Sequence, residues 1–126
     1  MIIEGLLYTK DHEWLKIESD EALIGITDYA QQMLGEIIFV ELPTVGAEYR
    51  QHGELAVAES TKAASDIYSP VAGKVTEVNN ELETTPELIN QGCYGDGWIC
   101  RIAIADAKEA EKLMDWKQYG DYLKGL

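Results

Sequence analysis

Among the residues of this 126-residue chain that could do chemistry, Lys62 stands out by its surroundings. It lies in ESTKAASDIYSP (residues 59–70), flanked by Thr61, Ala63 and Ala64 and then by Ser60 and Ser65, all with short side chains. The nearest charges are acidic, Glu59 on one side and Asp66 on the other. A nucleophilic lysine needs burial or neighbouring cations to release its proton. Carboxylate neighbours instead stabilise the ammonium, and the chain has no Gly-rich phosphate-binding loop, which argues against catalysis by this amine. A lysine on a turn of short side chains suits a different chemistry. A modifying enzyme can grip the backbone while the amine enters its active site. The plain alternative is a solvated surface lysine.

The other reactive residue types offer less. Cys93 and Cys100 form no CxxC pair and have no second cluster to complete a zinc site. His12 and His52 are the only histidines and form no HExxH pattern, so no metal site is expected. Cys100, within the strand-like WICRI, reads as a small core residue. A thiol enzyme built on Cys93 would need a base within reach.

The elements that must position Lys62 are short strands. Tyr8–Lys16, Ala22–Ile26, Ile37–Leu42, Glu54–Ser60, Ile67–Tyr68, Gly73–Val78 and Gly97–Ile104 are β-branched, aromatic or alternating runs, and their close spacing predicts a sandwich or barrel. Glu54–Ser60 and the run after Ala64 place TKAA in a hairpin turn, where a type I turn accepts lysine at a central position. Thr27–Leu34 reads as a helix stopped by Gly35, and Pro86–Asn90 as a short one begun by proline. In the tail, Asp106 and Glu109 resemble a capping box, with Ala110, Leu113 and Met114 on one face and Tyr119, Tyr122 and Leu123 continuing that spacing. With no linker or repeat, residues 1–126 read as one domain, a core of about 7–105 and a C-terminal helical appendage of about 106–125 packed on it.

Charge and hydropathy bound the partners. Ten basic residues against 23 acidic give −13, which disfavours nucleic acid and anionic membranes and steers the chain toward basic protein surfaces. No apolar run approaches the roughly 20 residues that span a bilayer. MIIEGLLYTKDHEW turns polar too early for a secretory signal and lacks the Arg/Ser bias of a transit peptide, so a cytoplasmic, bacterial setting is expected.

Several separated stretches, in order, resemble the glycine cleavage system H protein family. AESTKAASDIYSPVAGKV resembles its lipoyl-attachment hairpin, and GITDYAQQMLGEIIFVELPTVG (Gly25 to Gly46) its second signature. YTKDHEW (Tyr8 to Trp14) and YGDGWICRI (Tyr94 to Ile102) fit the same family, and together they span nearly the whole chain. The resemblance implies a mainly β fold, a lipoyl/biotinyl-type flattened barrel-sandwich hybrid with short helices and a C-terminal helix. It implies lipoic acid amide-linked to Lys62, on a carrier that is not itself an enzyme. The implied partners are a pyridoxal-phosphate-dependent glycine decarboxylase (P protein), a folate-dependent aminomethyltransferase (T protein), a dihydrolipoyl dehydrogenase (L protein) and a lipoate-attaching enzyme. The aminomethyl group of glycine would pass from the first to the second on the arm.

The resemblance also assigns supporting residues. Asp11, Glu13 and Asp66 match positions that shelter the loaded arm, with Asp11 standing where the family can carry serine. For Glu13 and Asp66 the alternative is a solvated strand edge. Glu59, three residues before Lys62, and Gly73, eleven after it, match the flanks that an attaching enzyme reads, together with Asp66. For Gly73 the alternative is a turn that needs positive φ. Cys93 departs from a position where the family commonly has proline; a thiol there could exchange with a lipoyl disulfide if the arm came within reach. Two rivals share the hairpin. A biotin carrier normally sets its lysine between methionines, unlike Thr61 and Ala63 here. An H-like relay handing lipoyl groups to other acceptor domains would satisfy the same attaching enzymes.

Overall fold

In the computed structural model, which describes residues 1–126, the stretch Tyr8–Lys16 is two strands rather than one. Strands β1 (Leu7–Tyr8) and β2 (Glu13–Glu18) pair back on each other, Tyr8 opposite Trp14. The polar residues between them close a tight turn. The Thr9 hydroxyl accepts the Glu13 N–H at 3.0 Å, and His12 takes a left-handed φ of 70°. A hydrophobic count along the chain does not register such a turn, because its signal is one side-chain oxygen.

The remaining strands are β3 (Glu21–Ile26), β4 (Ile37–Glu41), β5 (Glu48–Tyr49), β6 (Glu54–Ser60), β7 (Ala64–Tyr68), β8 (Gly73–Val78) and β9 (Cys100–Ile104). They form two antiparallel sheets, one in the order β1-β2-β3-β9-β8-β5 and one in the order β4-β6-β7, and neither closes on itself. The flattened, mainly β architecture expected from the sequence is therefore present. Inward positions of both sheets, among them Leu15, Ile24, Ile102, Ile37, Leu55 and Ile67, join in one cluster of 19 buried residues, so the core lies between the sheets. The last strand starts at Cys100, later than expected. Gly97 and Trp98 are held in a turn by Gly92 and Gly95, where a Cβ on Gly97 would lie 2.6 Å from the Leu88 carbonyl oxygen.

Helix α1 (Asp28–Leu34) begins and ends as its sequence suggests. Thr27 caps its N-terminus, and Gly35, at φ 84°, stops it and donates its N–H to the Gln31 carbonyl. Helix α2 (Leu88–Gly92) follows Pro86.

The tail is the second correction. Asp106 caps a short 3-10 helix (Ala107–Lys112) through the Lys108 N–H, and the Glu109 carboxylate, in place of completing a capping box, accepts the Ala72 N–H at 2.8 Å. The chain then straightens so that Met114 bridges to Tyr8. A true capping box, Asp115 with Gln118, opens α3 (Trp116–Lys124). Tyr119 of α3 is wholly buried and stacks on Tyr8 at 4.5 Å, in a second cluster with Leu6 and Trp14.

Candidate functional site

Lys62 occupies the turn between β6 and β7, as the strand pattern predicts. The turn needs no glycine, because none of its residues has positive φ. Ser60 closes it. Its Oγ accepts the backbone N–H groups of Lys62 and Ala63, each at 3.1 Å, while its own N–H reaches the Ala63 carbonyl at 2.8 Å. The Thr61 N–H adds a bond to the Glu36 carbonyl at 3.2 Å, which ties the tip to the segment leading into β4. The backbone of the tip is thus satisfied without help from the lysine side chain.

That side chain is exposed and forms no ion pair. It lies along the C-terminal end of α1, where Nζ donates to the Met33 carbonyl at 3.2 Å. The last carbonyls of a helix carry partial negative charge, so an ammonium suits that place. Gly35 leaves the room: a Cβ there would come within 3.1 Å of Lys62 Cε. Asn90 of α2 fixes the same corner, donating to the carbonyl of Gly35 and to Gln31 and accepting from the Ile37 N–H, each at 2.9 Å. Nothing in the sequence marked Ser60 or Asn90, since their roles arise from contacts between separate elements.

The predicted flank residues separate. Glu59 is exposed on β6, opposite Ala64 and next to Phe39 of β4. Gly73 is buried in β8 and has no positive φ, so the turn explanation for it does not hold. The requirement is space, because a Cβ at Gly73 would lie 2.2 Å from the Ala103 carbonyl oxygen of β9.

Asp11, Glu13 and Asp66 are brought into one neighbourhood centred on Tyr68, a residue that sequence reasoning passed over. The field of Asp66, with burial and then Glu54, Asp11 and Glu13 behind it, holds the Tyr68 hydroxyl above its ordinary range. Alternation along β7 places Asp66 and Tyr68 on one face, and that signal could have found Tyr68. Asp11 and Asp66 are exposed, whereas Glu13 is 2% exposed. The solvated-edge alternative is therefore excluded for Glu13 and stands for Asp66. Glu13 receives the Thr9 hydroxyl on one oxygen at 2.5 Å and the Tyr68 N–H on the other at 3.1 Å, joining β2 to the end of β7. Its burial raises the carboxyl to about 7, against a lowering from those two hydrogen bonds. Next to Asp11 a cavity of about 490 Å³ opens between the β1–β2 turn and the tail, with Thr9, His52, Lys112 and Met114 on its walls. The Lys62 amine rests on the end of α1, at the Met33 carbonyl.

The thiols are inert. Cys93 is buried in the main cluster, where desolvation pushes it up to about 11, and Cys100 is buried in the same cluster and pushed up to about 12. Thiolate is scarce at neutral pH at both, which removes the thiol-enzyme reading.

An exposed amine on a self-sufficient hairpin turn of a β sandwich is the arrangement expected of a group-carrier class of protein. Comparison with known proteins makes the class specific. The profile of the Glycine cleavage H-protein family matches residues 6–125. The glycine cleavage system H protein of Halothermothrix orenii is 54% identical, over 96% of this chain and 94% of its own. That of Parvibaculum lavamentivorans is 48% identical, over 98% of this chain and 99% of its own. The crystal structure of a glycine cleavage system H protein from Mycobacterium marinum superposes with a TM-score of 0.90 at 31% identity, covering 99% of this chain and all of the other. The chain belongs to the glycine cleavage H-protein family, whose members carry lipoate and are not themselves catalytic.

Proposed function

We propose that Lys62 is the lipoyl-attachment residue and that the protein carries the aminomethyl group of glycine between the enzymes of the glycine cleavage system. The observation that carries this reading is the Lys62 amine itself. It is exposed, has no carboxylate partner, and stands on a turn whose hydrogen bonds it does not supply. Amide formation there costs the fold one exposed bond to the Met33 carbonyl. The attached group supplies a reducible disulfide at the end of a long tether. The chain's own residues do the rest. Ser60 sets the turn, Gly35 clears the path of the side chain, and Glu59 and Asp66 mark the flanks for the attaching enzyme, while Gly73, in the other sheet, lets β8 lie against β9.

Asp66, with Glu54 and Asp11 behind it, sets negative charge beside Tyr68, which favours a cationic aminomethyl group there, while the buried Glu13, its carboxyl raised to about 7, ties β2 to the end of β7. The partners in this reading are the pyridoxal-phosphate-dependent decarboxylase, the folate-dependent aminomethyltransferase, the dihydrolipoyl dehydrogenase and the lipoate-attaching enzyme. The relatives compared are bacterial, which supports a cytoplasmic carrier, and no helix is long and apolar enough to cross a membrane.

Intact mass after incubation with lipoate, ATP and a lipoate ligase tests the assignment. A gain of one lipoyl group in the wild type and none in Lys62→Arg is expected. A gain that persists in Lys62→Arg, or no gain from a ligase active on another acceptor, overturns it.

A further inference from the structure

Strand β4 is the outer strand of its sheet and carries a bulge. Ile37 pairs with Ser60 and Phe39 with Glu59, and Ile38 is left between them. In a regular strand successive side chains face opposite sides, so one of Ile38 and Phe39 would be covered. The bulge turns both outward, 53% and 51% exposed, while Ile37 before them and Val40 after them are buried. Met33, 63% exposed at the end of α1, adds a third large apolar side chain, and its carbonyl is where the Lys62 amine rests. Core packing accounts for Ile37 and Val40; it does not account for these three.

The rim of this patch is acidic. Glu36, Glu41 and Glu59 are exposed around it, and from residue 17 to residue 49 the chain has no lysine or arginine. A second copy of the protein would bring the same acidic rim against this one, at a net charge of −13 each. The complementary surface is apolar at its centre and basic at its edge. An enzyme that acts on the Lys62 amine must approach this corner, because the amine rests on the Met33 carbonyl and its Cε lies over Gly35.

We propose that Met33 at the end of α1, together with Ile38 and Phe39, which the β4 bulge turns outward, is the docking face for the enzyme that acylates Lys62. The inference rests on Lys62 being the acceptor. Docking there covers the end of α1 and lifts the amine off the Met33 carbonyl into the enzyme. The hairpin flank residues then set register, and the apolar patch holds the complex.

The test is the rate of lipoate transfer by a lipoate ligase to the wild type, to the Ile38→Ser/Phe39→Ser double variant and to Val45→Ser, an exposed apolar residue beyond the other end of β4. The double variant should lose roughly tenfold or more in kcat/KM, mainly through KM, with Val45→Ser unchanged. Acylation of Lys62 by a small activated ester should proceed equally in all three, showing that the amine itself is undisturbed. Wild-type transfer to the double variant, or an equal loss in Val45→Ser, overturns the docking face and leaves the carrier reading intact. No transfer even to the wild type, by a ligase active on another acceptor, sinks both. Should the double variant fold poorly, hydrogen exchange on Lys62→Arg mixed with the ligase decides. Protection across residues 33–41 is expected, and protection confined to residues 60–66 overturns the proposal.

Discussion

Glu13 shows how far one residue's environment can depart from what its letter suggests. A carboxylate in YTKDHEW reads as surface acid, yet the turn at His12 drives it under β7, where it is almost wholly covered. With its carboxyl raised from 4.5 to about 7, the folded protein holds this proton more tightly than the unfolded chain does. The carboxyl's contribution to stability is therefore complete below its ordinary value of 4.5 and is lost as the pH rises through about 7. Glutamine reproduces the protonated form, donating to Thr9 and accepting from the Tyr68 N–H. Between pH 5 and pH 8, Glu13→Gln should gain on the wild type by on the order of 2–3 kcal/mol. Urea unfolding at both values measures the gap, and an equal gap at the two would show an ordinary surface carboxylate. The hairpin turn that carries Lys62 was legible because strand-like runs flank a stretch of short side chains, whereas Asp66 was singled out only by the family resemblance. Ser60 and Tyr68 were not legible, since one acts through a hydroxyl on backbone amides and the other through charges gathered from three strands.

At the level of elements, the strands whose hydrophobic pattern is self-contained were readable. Glu54–Ser60 and Gly73–Val78 have the bounds that alternation predicts, and Ile37–Leu42 is right to one residue. The misreadings share a cause, which is a partner distant in sequence. β5 has only two residues and exists through its pairing with Lys74 and Gly73. The tail breaks at Leu113 and Met114 because Met114 bonds to Tyr8 in both directions, and the Glu109 carboxylate is taken by the Ala72 N–H instead of the Asp106 backbone. What fixes α3 is Tyr119, whose hydroxyl meets both Thr27 Oγ1 and His12 Nδ1 at 2.8 Å. Tyr119→Phe keeps the stack on Tyr8 and removes both bonds. A loss of about 1–3 kcal/mol is expected in chemical denaturation, with faster hydrogen exchange in residues 116–124. Unchanged stability would mean that stacking alone seats the helix.

For the whole molecule the governing quantity is charge. Ten cations against 23 acids leave −13, and acylating Lys62 makes it 9 − 23 = −14. Carrier chemistry requires several partners in turn, so each complex must form fast and part fast, which suits electrostatic steering better than a large apolar interface. The expected signature is an apparent affinity for the glycine decarboxylase that weakens several-fold between about 50 mM and 500 mM salt, through the on-rate. Salt-independent binding measured by stopped flow would place the recognition in apolar contacts alone.

The turn at Ser60 has a last consequence. Its hydrogen bonds run between Ser60 and the backbone of Lys62 and Ala63, and none of them passes through the amine. On the proposed attachment at Lys62, acylation is expected to leave these backbone bonds in place and to change only the exposed contact with the Met33 carbonyl, so hydrogen exchange at residues 60–63 should be the same before and after acylation.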